Sequence, residues 1–193
     1  SIRANQFFEK AKREYGDDNV YALVFDFKSY FDSIPHKSCL NVLKKYVQDE
    51  RLVNLTMGII ESYALSEIDK IKDPAIQEEE RRKILNHEHC GICLGSQISQ
   101  IMAVAVPNDF DHYIKDCLHM KYYVRHMDDG IILFNDKEKL KEIKNLLAEK
   151  LNECGLRFND KKTRIVNLKH GLTFLKIKYQ FINGRIVKRL VRS

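Results

Sequence analysis

Residues 121–134 read KYYVRHMDDGIILF: two strand-like runs, KYYVRH at 121–126 and IILF at 131–134, joined by a tight Met-Asp-Asp-Gly link. Aromatic and β-branched residues fit a pleated, half-buried surface, and Asp-Gly between two such runs signals a hairpin. The pattern predicts an antiparallel pair of strands with Asp128 and Asp129 at or beside its tip. Asp-Gly is also an ordinary turn, and an aspartate that ends a strand is often a turn former or helix cap. The pair gains chemical meaning only from its partners.

Upstream, VYALVFDF at 20–27 is a short apolar run of strong strand formers that carries one carboxylate, Asp26, near its end. Between the two runs the period is helical. Pro35 suits a first turn, and Leu40, Leu43, Tyr46 and Val47 follow at helical spacing. A second helix is expected over 51–64. Residues 66–89, with EEERRK at 78–83, are either a surface helix or an irregular insertion. After Gly91 and Gly95, Ile98, Ile101, Met102, Ala105, Phe110 and Tyr113 keep a helical rhythm up to Cys117, which Pro107 should kink or interrupt. Downstream, Asn135 and Glu138 fit a capping box for a helix with Leu140, Ile143, Leu147 and Leu151 on one face, closed by Gly155. From Thr163 to Val191, short apolar runs broken by Gly171 and Asn183-Gly184 predict another hairpin. The order implies an α+β fold, helices packed on one face of a mainly antiparallel sheet.

With 193 residues, 44% of them hydrophobic, the chain can build one substantial core, and one domain over 1–193 is the expectation. A net charge of +6 leans toward polyanionic partners. Lys176, Lys178, Arg185, Lys188, Arg189 and Arg192 crowd into an apolar and aromatic stretch, which suits either a phosphate backbone or the protection of a solvated strand edge. No apolar run approaches the roughly 18–20 residues that span a bilayer, and no secretory pattern opens the chain, so a cytoplasmic location without a membrane partner is expected. Five irregularly spaced cysteines point to reduced thiols. His87, His89, Cys90 and Cys93 have zinc-ligand residue types, but four ligands so close in sequence wrap a tetrahedral ion poorly. The first residue, Ser1, and the basic end suggest a fragment.

If the strand ending at Asp26 lies beside the 121–134 hairpin, three carboxylates meet. Crowded carboxylates raise one another's pKa unless cations neutralise them. Hard oxygen donors suit magnesium, and two such ions roughly 4 Å apart clamp an in-line displacement at phosphorus.

Five segments, taken in order, carry a family resemblance. VFDFKSYFDSIPH resembles the first palm motif of reverse transcriptases, especially the bacterial retron and group II intron types. GICLGSQISQ resembles their glycine-containing template motif, and VRHMDDGIILF their paired-aspartate hairpin. LNECGLRFNDKKT resembles the helix-turn motif that follows, and FLKIKY the primer-grip motif. Together they cover about residues 20–180, in the family's order.

The resemblance implies an RNA-directed DNA polymerase palm with part of the fingers, most of the fingers and the thumb lying elsewhere. Two Mg2+ ions, with Mn2+ as a substitute, would sit on Asp26, Asp128 and Asp129, with the Phe27 carbonyl as a further ligand. Phe31 would lie under the sugar of the incoming dNTP and exclude a 2′-hydroxyl; the alternative is a core phenylalanine. Lys162 would act near the leaving pyrophosphate, with Lys161 as competitor. Gly95, Ser96 and Gln97 would meet the templating pair, and His126, Met127, Phe174, Leu175 and Lys176 the primer and RNA template. Three positions depart from the pattern: Cys93-Leu94 replaces a Pro-Gln pair, His126 a Tyr or Ala, and Lys176 a glycine. A non-catalytic RNA-binding scaffold is the alternative from another class, which intact carboxylates disfavour; untemplated or RNA synthesis on the same palm is the other. The parent would be an intron maturase, a retron, a diversity-generating element or a phage-defence enzyme.

Overall fold

Five residues of strong strand propensity, Tyr21–Phe25 (β1), lie at the heart of a four-stranded antiparallel sheet in the computed structural model, which describes residues 2–16, 18–182 and 185–191. The chain runs α1 (Ile2–Tyr15), β1, α2 (Tyr30–Ser33), α3 (His36–Tyr46), α4 (Glu50–Ile68), α5 (Pro74–Leu85), α6 (Gln97–Ala105) and α7 (Asn108–His112). A π-helical turn then leads to β2 (Tyr122–His126), β3 (Asp129–Phe134), α8 (Lys137–Glu153), β4 (Arg164–Asn167), β5 (Leu172–Phe174), β6 (Ile177–Ile182) and β7 (Arg185–Leu190). The expected α+β class, helices packed against antiparallel sheet, is the one observed.

Two compact units divide the chain. The first comprises the residues up to Lys28, Phe110–Lys150 and the chain from Arg157 onward; the second comprises Ser29–Asp109 and Leu151–Leu156. In the first unit the sheet order is β2-β3-β1-β4, so β1 pairs with two strands that come much later in sequence. A second antiparallel sheet follows the order β5-β6-β7. Helix α1 buries Ala4, Phe8 and Ala11, one stripe at helical spacing. Phe8 stacks on Tyr179 of β6, and Tyr179 donates a hydrogen bond to Asn5 Oδ1 (2.7 Å). Sequence reading missed α1. An aromatic cluster of Phe25, Phe27, Phe110, Tyr123 and Phe158 packs against the sheet in the same unit.

In the second unit the undecided stretch 66–89 resolves as a helical hairpin. Asp73 accepts a hydrogen bond from the Ala75 N–H and caps α5, and Ala64, Ile68 and Ile84 close a small core with α4. Pro35 precedes α3 instead of lying in its first turn, and Tyr46, expected on the buried face, is 61% exposed. Pro107 ends α6 as expected, while Ile101 faces outward.

Two local expectations are corrected in the first unit. The start of α8 is capped by Asp136, whose Oδ1 accepts from the N–H groups of Glu138 and Lys139, and not by Asn135. The acidic hairpin turns on Met127-Asp128 alone, with Asp129 and Gly130 already in β3. Met127 supplies the left-handed residue (φ 54°), whereas Gly130 has another duty described below. Gly155 does close the helix in the left-handed region (φ 76°), and Leu140, Ile143, Leu147 and Leu151 are all buried. The strands β6 and β7 form the expected hairpin; the Asn183-Gly184 pair, like Arg192, lies outside the described residues.

Candidate active site

Strand register brings the predicted carboxylates together. Phe25 pairs with Gly130 across β1 and β3, so Asp26 leaves β1 where Asp129 enters β3, and His126 faces Asp129 from β2. The alignment continues one step further, because the Phe27 N–H donates to the Asp128 carbonyl (3.2 Å). Two antiparallel pairings thus carry residues far apart in sequence to one end of one sheet.

The close approach depends on Gly130. A β-carbon there would overlap the Phe25 ring, which is fully buried and hemmed in by Phe27, Phe110, Tyr123 and Phe158. Glycine is required at this strand position for clearance, not for turn geometry.

Asp26 is buried and held from one side by the turn at 159–163. Its Oδ1 accepts from Asn159 Nδ2 (3.1 Å), its Oδ2 from Lys162 Nζ (2.7 Å), and its carbonyl from the Asn159 N–H (2.8 Å). The hydrogen bond to Asp26 raises the Lys162 pKa, burial opposes it, and the charges of Asp26, Asp129 and Asp128 add to the rise. Lys161 makes no such contact among the described hydrogen bonds and ion pairs. Asp129 has its carboxyl pushed above the usual range, first by burial and then by the charges of Asp128 and Asp26, with Lys162 and His126 opposing. The three carboxylates are neighbours but not a closed ligand shell: among the described residues no three His, Cys, Asp or Glu side chains converge on one point. Their chemistry nevertheless fits hard divalent cations, since the donors are carboxylate oxygens and three of them stand at one end of one sheet.

Behind the turn lies a brace that sequence reading missed. Arg125, with only 6% of its side chain exposed, forms a two-pronged ion pair with Asp111 (Nε to Oδ1 2.8 Å, Nη2 to Oδ2 2.6 Å). Its Nη1 donates to the Met127 carbonyl (2.8 Å), and the Tyr123 hydroxyl also donates to Asp111. Planar, charge-assisted pairs of this kind fix orientation as well as energy. An arginine within a strand of buried aromatics was the available signal. Asn159, the other missed residue, stood inside a quoted motif without a distinguishing feature.

The remaining predicted residues fall in two places. Phe27 is buried in the aromatic cluster, and His126 is exposed at the end of β2. Phe174 is buried at the end of β5, while Leu175 (φ 48°) and Lys176 (φ 62°) form the left-handed turn into β6. Two consecutive left-handed residues explain why glycine would be at home at 176. Phe31, Gly95, Ser96 and Gln97 belong to the second unit, where the Phe31 carbonyl accepts from Ile92 N–H (2.9 Å) and so ties its segment to the glycine-containing stretch. Phe31 is half-buried, edge-on to Tyr30; Gly95 is exposed in the left-handed region (φ 92°), and Ser96 and Gln97 begin α6. His87 and His89 each pair with a glutamate, Glu61 (2.7 Å) and Glu80 (3.1 Å).

The mixed helical and antiparallel architecture is that of a nucleic-acid polymerase palm. Within that class the chain belongs to the reverse transcriptase (RNA-dependent DNA polymerase) family, whose model matches residues 3–179. No curated protein matches it. Among solved structures, apo telomerase from Candida tropicalis truncated from its C-terminal domain shares the fold with a TM-score of 0.66 at 15% identity, over 97% of this chain and 39% of that one. Telomerase from Candida albicans, in complex with a TWJ fragment of telomeric RNA, shares it with a TM-score of 0.61 at 16% identity, over 97% and 33%. The chain therefore spans well under half the length of these neighbours.

Proposed function

We propose that this chain is the palm of a polymerase that extends a primer 3′-hydroxyl with dNTPs on an RNA template, using two Mg2+ ions on Asp26, Asp128 and Asp129. The observation that carries the reading is the strand register that delivers Asp26 and Asp129 to one sheet end, with the Phe27 N–H on the Asp128 carbonyl. When bound, the ions would activate the attacking hydroxyl and neutralise charge on the leaving pyrophosphate, and Mn2+ would substitute. Asn159 orients Asp26, and Arg125 fixes the turn that aims Asp128. Lys162 carries its proton at the same end of the sheet and is placed to meet a phosphate anion, a role Lys161 lacks.

The motif assignments extend the proposal. Phe31 screens the sugar, Gly95, Ser96 and Gln97 meet the templating pair, the Phe27 carbonyl is a further metal ligand, and His126, Met127, Phe174, Leu175 and Lys176 contact the primer. The motifs favour the retron and group II intron types, with RNA template, DNA or RNA primer and the remaining fingers and thumb as partners. The five cysteines are free thiols, which fits the cytoplasm. A non-catalytic scaffold is disfavoured, because it has no use for mutually repelling carboxylates brought to one end of a sheet.

Primer extension on RNA and DNA templates tests the reading. Asp128→Asn is expected to lower template-directed product by about a hundredfold or more. Undiminished synthesis by that variant would remove the acidic site from the mechanism. Ribonucleotide incorporation by Phe31→Ala, in the same assay, checks the sugar screen.

A further inference from the structure

The turn at 159–163 grips both oxygens of Asp26 with two different kinds of donor. Its geometry is fixed by the Asn159 carbonyl, which accepts from Lys162 N–H (3.0 Å) and Thr163 N–H (2.9 Å). Asn159 offers a neutral amide to Oδ1, while Lys162 offers a full positive charge to Oδ2. A carboxylate has about four acceptor positions, so an amide on one oxygen leaves room for a metal ion. An ammonium at 2.7 Å on the other oxygen also takes a single position, but its full positive charge opposes that of an incoming cation. The two partners also differ in freedom. The Lys162 side chain is 64% exposed at the end of a flexible stem, whereas that of Asp26 is 7% exposed. The lysine can swing into solvent; the aspartate cannot follow.

We infer that Lys162 is a tethered counter-ion that competes with divalent metal for Asp26 and is released when metal binds. This rests on the metal-site reading given above. The competition lowers metal affinity, so that the ions load most readily when another anion, the nucleotide triphosphate, arrives to accept the displaced ammonium. Asn159 stays in place throughout and keeps the carboxylate aimed. One lysine thus serves in turn as a plug for the acidic site and as a ligand for phosphate.

The test is Mn2+ binding to the protein without nucleotide, followed by the electron paramagnetic resonance of free Mn2+. Lys162→Met should bind Mn2+ roughly two- to fivefold more tightly than the wild type, the range an exposed ion pair supports. Lys161→Met removes the same charge one residue away and should change affinity little. Equal affinities for Lys162→Met and wild type, weaker binding by Lys162→Met, or the same tightening in both lysine variants would overturn the inference. Asp128→Asn separates the two levels: unchanged Mn2+ binding by that variant defeats the metal site itself. Lost binding there together with no effect of Lys162→Met defeats the tether alone. Matching thermal melts confirm that the variants are folded.

Discussion

Gly130 shows how much of a strand pairing one missing side chain can hold. The Phe25 ring fills the space where a β-carbon would go, and its four aromatic neighbours leave it nowhere to move. Gly130→Ala is therefore expected to destabilise the protein by about 1–3 kcal/mol, the ordinary range for overpacking a dense core. It should also part β1 from β3, so primer extension would fall by more than the lost stability explains; a melting curve within a degree of wild type would refute this. At this scale the sequence was informative about charge and silent about clearance. The meeting of Asp26 with Asp128 and Asp129 at one sheet end was legible because their motifs occur in order. Gly130 was read as a turn residue, since Asp-Gly usually is one. Arg125 and Asp111 were unreadable as a pair, because an ion pair between a strand and a separate helical segment leaves no spacing to detect.

The hairpin β5–β6 is the element in which composition and conformation disagree most. Leu175 and Lys176 both occupy the left-handed region, which costs a residue with a β-carbon roughly 1–2 kcal/mol. Replacing Lys176 with glycine should recover part of that strain and raise the melting temperature, offset by the greater freedom of glycine in the unfolded chain. A lower melting temperature would show that the lysine side chain earns its place by a contact. Element by element, legibility followed periodicity. Helix α8 was read to its closing glycine because its apolar face is regular. Helix α5 was undecided because it buries only Ile84 and carries charge nearly all round. Helix α1 was missed because its buried stripe contains two alanines, which carry little hydrophobic signal.

At the scale of the molecule, the net charge of +6 becomes useful where it is concentrated. On the β6–β7 ribbon, Lys178 and Arg189 stand directly opposite each other, and both are exposed. Like charges facing across a ladder weaken it unless an anion joins them. If that anion is a phosphodiester backbone, Lys178→Gln with Arg189→Gln should reduce the slope of log affinity against log salt by roughly 1.5 for two lost phosphate contacts. A slope equal to that of the wild type would leave these residues as guards of a strand edge. Composition announced this patch, but only register reveals that the two cations oppose one another.

The central position of β1 reaches beyond the finished molecule. The strand must wait for β3 and β4, which at the pace of translation trail it by on the order of ten seconds. During that interval an apolar strand with two open edges needs shelter from misplaced pairing. The acidic end of the sheet has no early precursor: Asp26 finds Asp129 beside it only once the chain has been made as far as Phe134 and β3 has paired with β1.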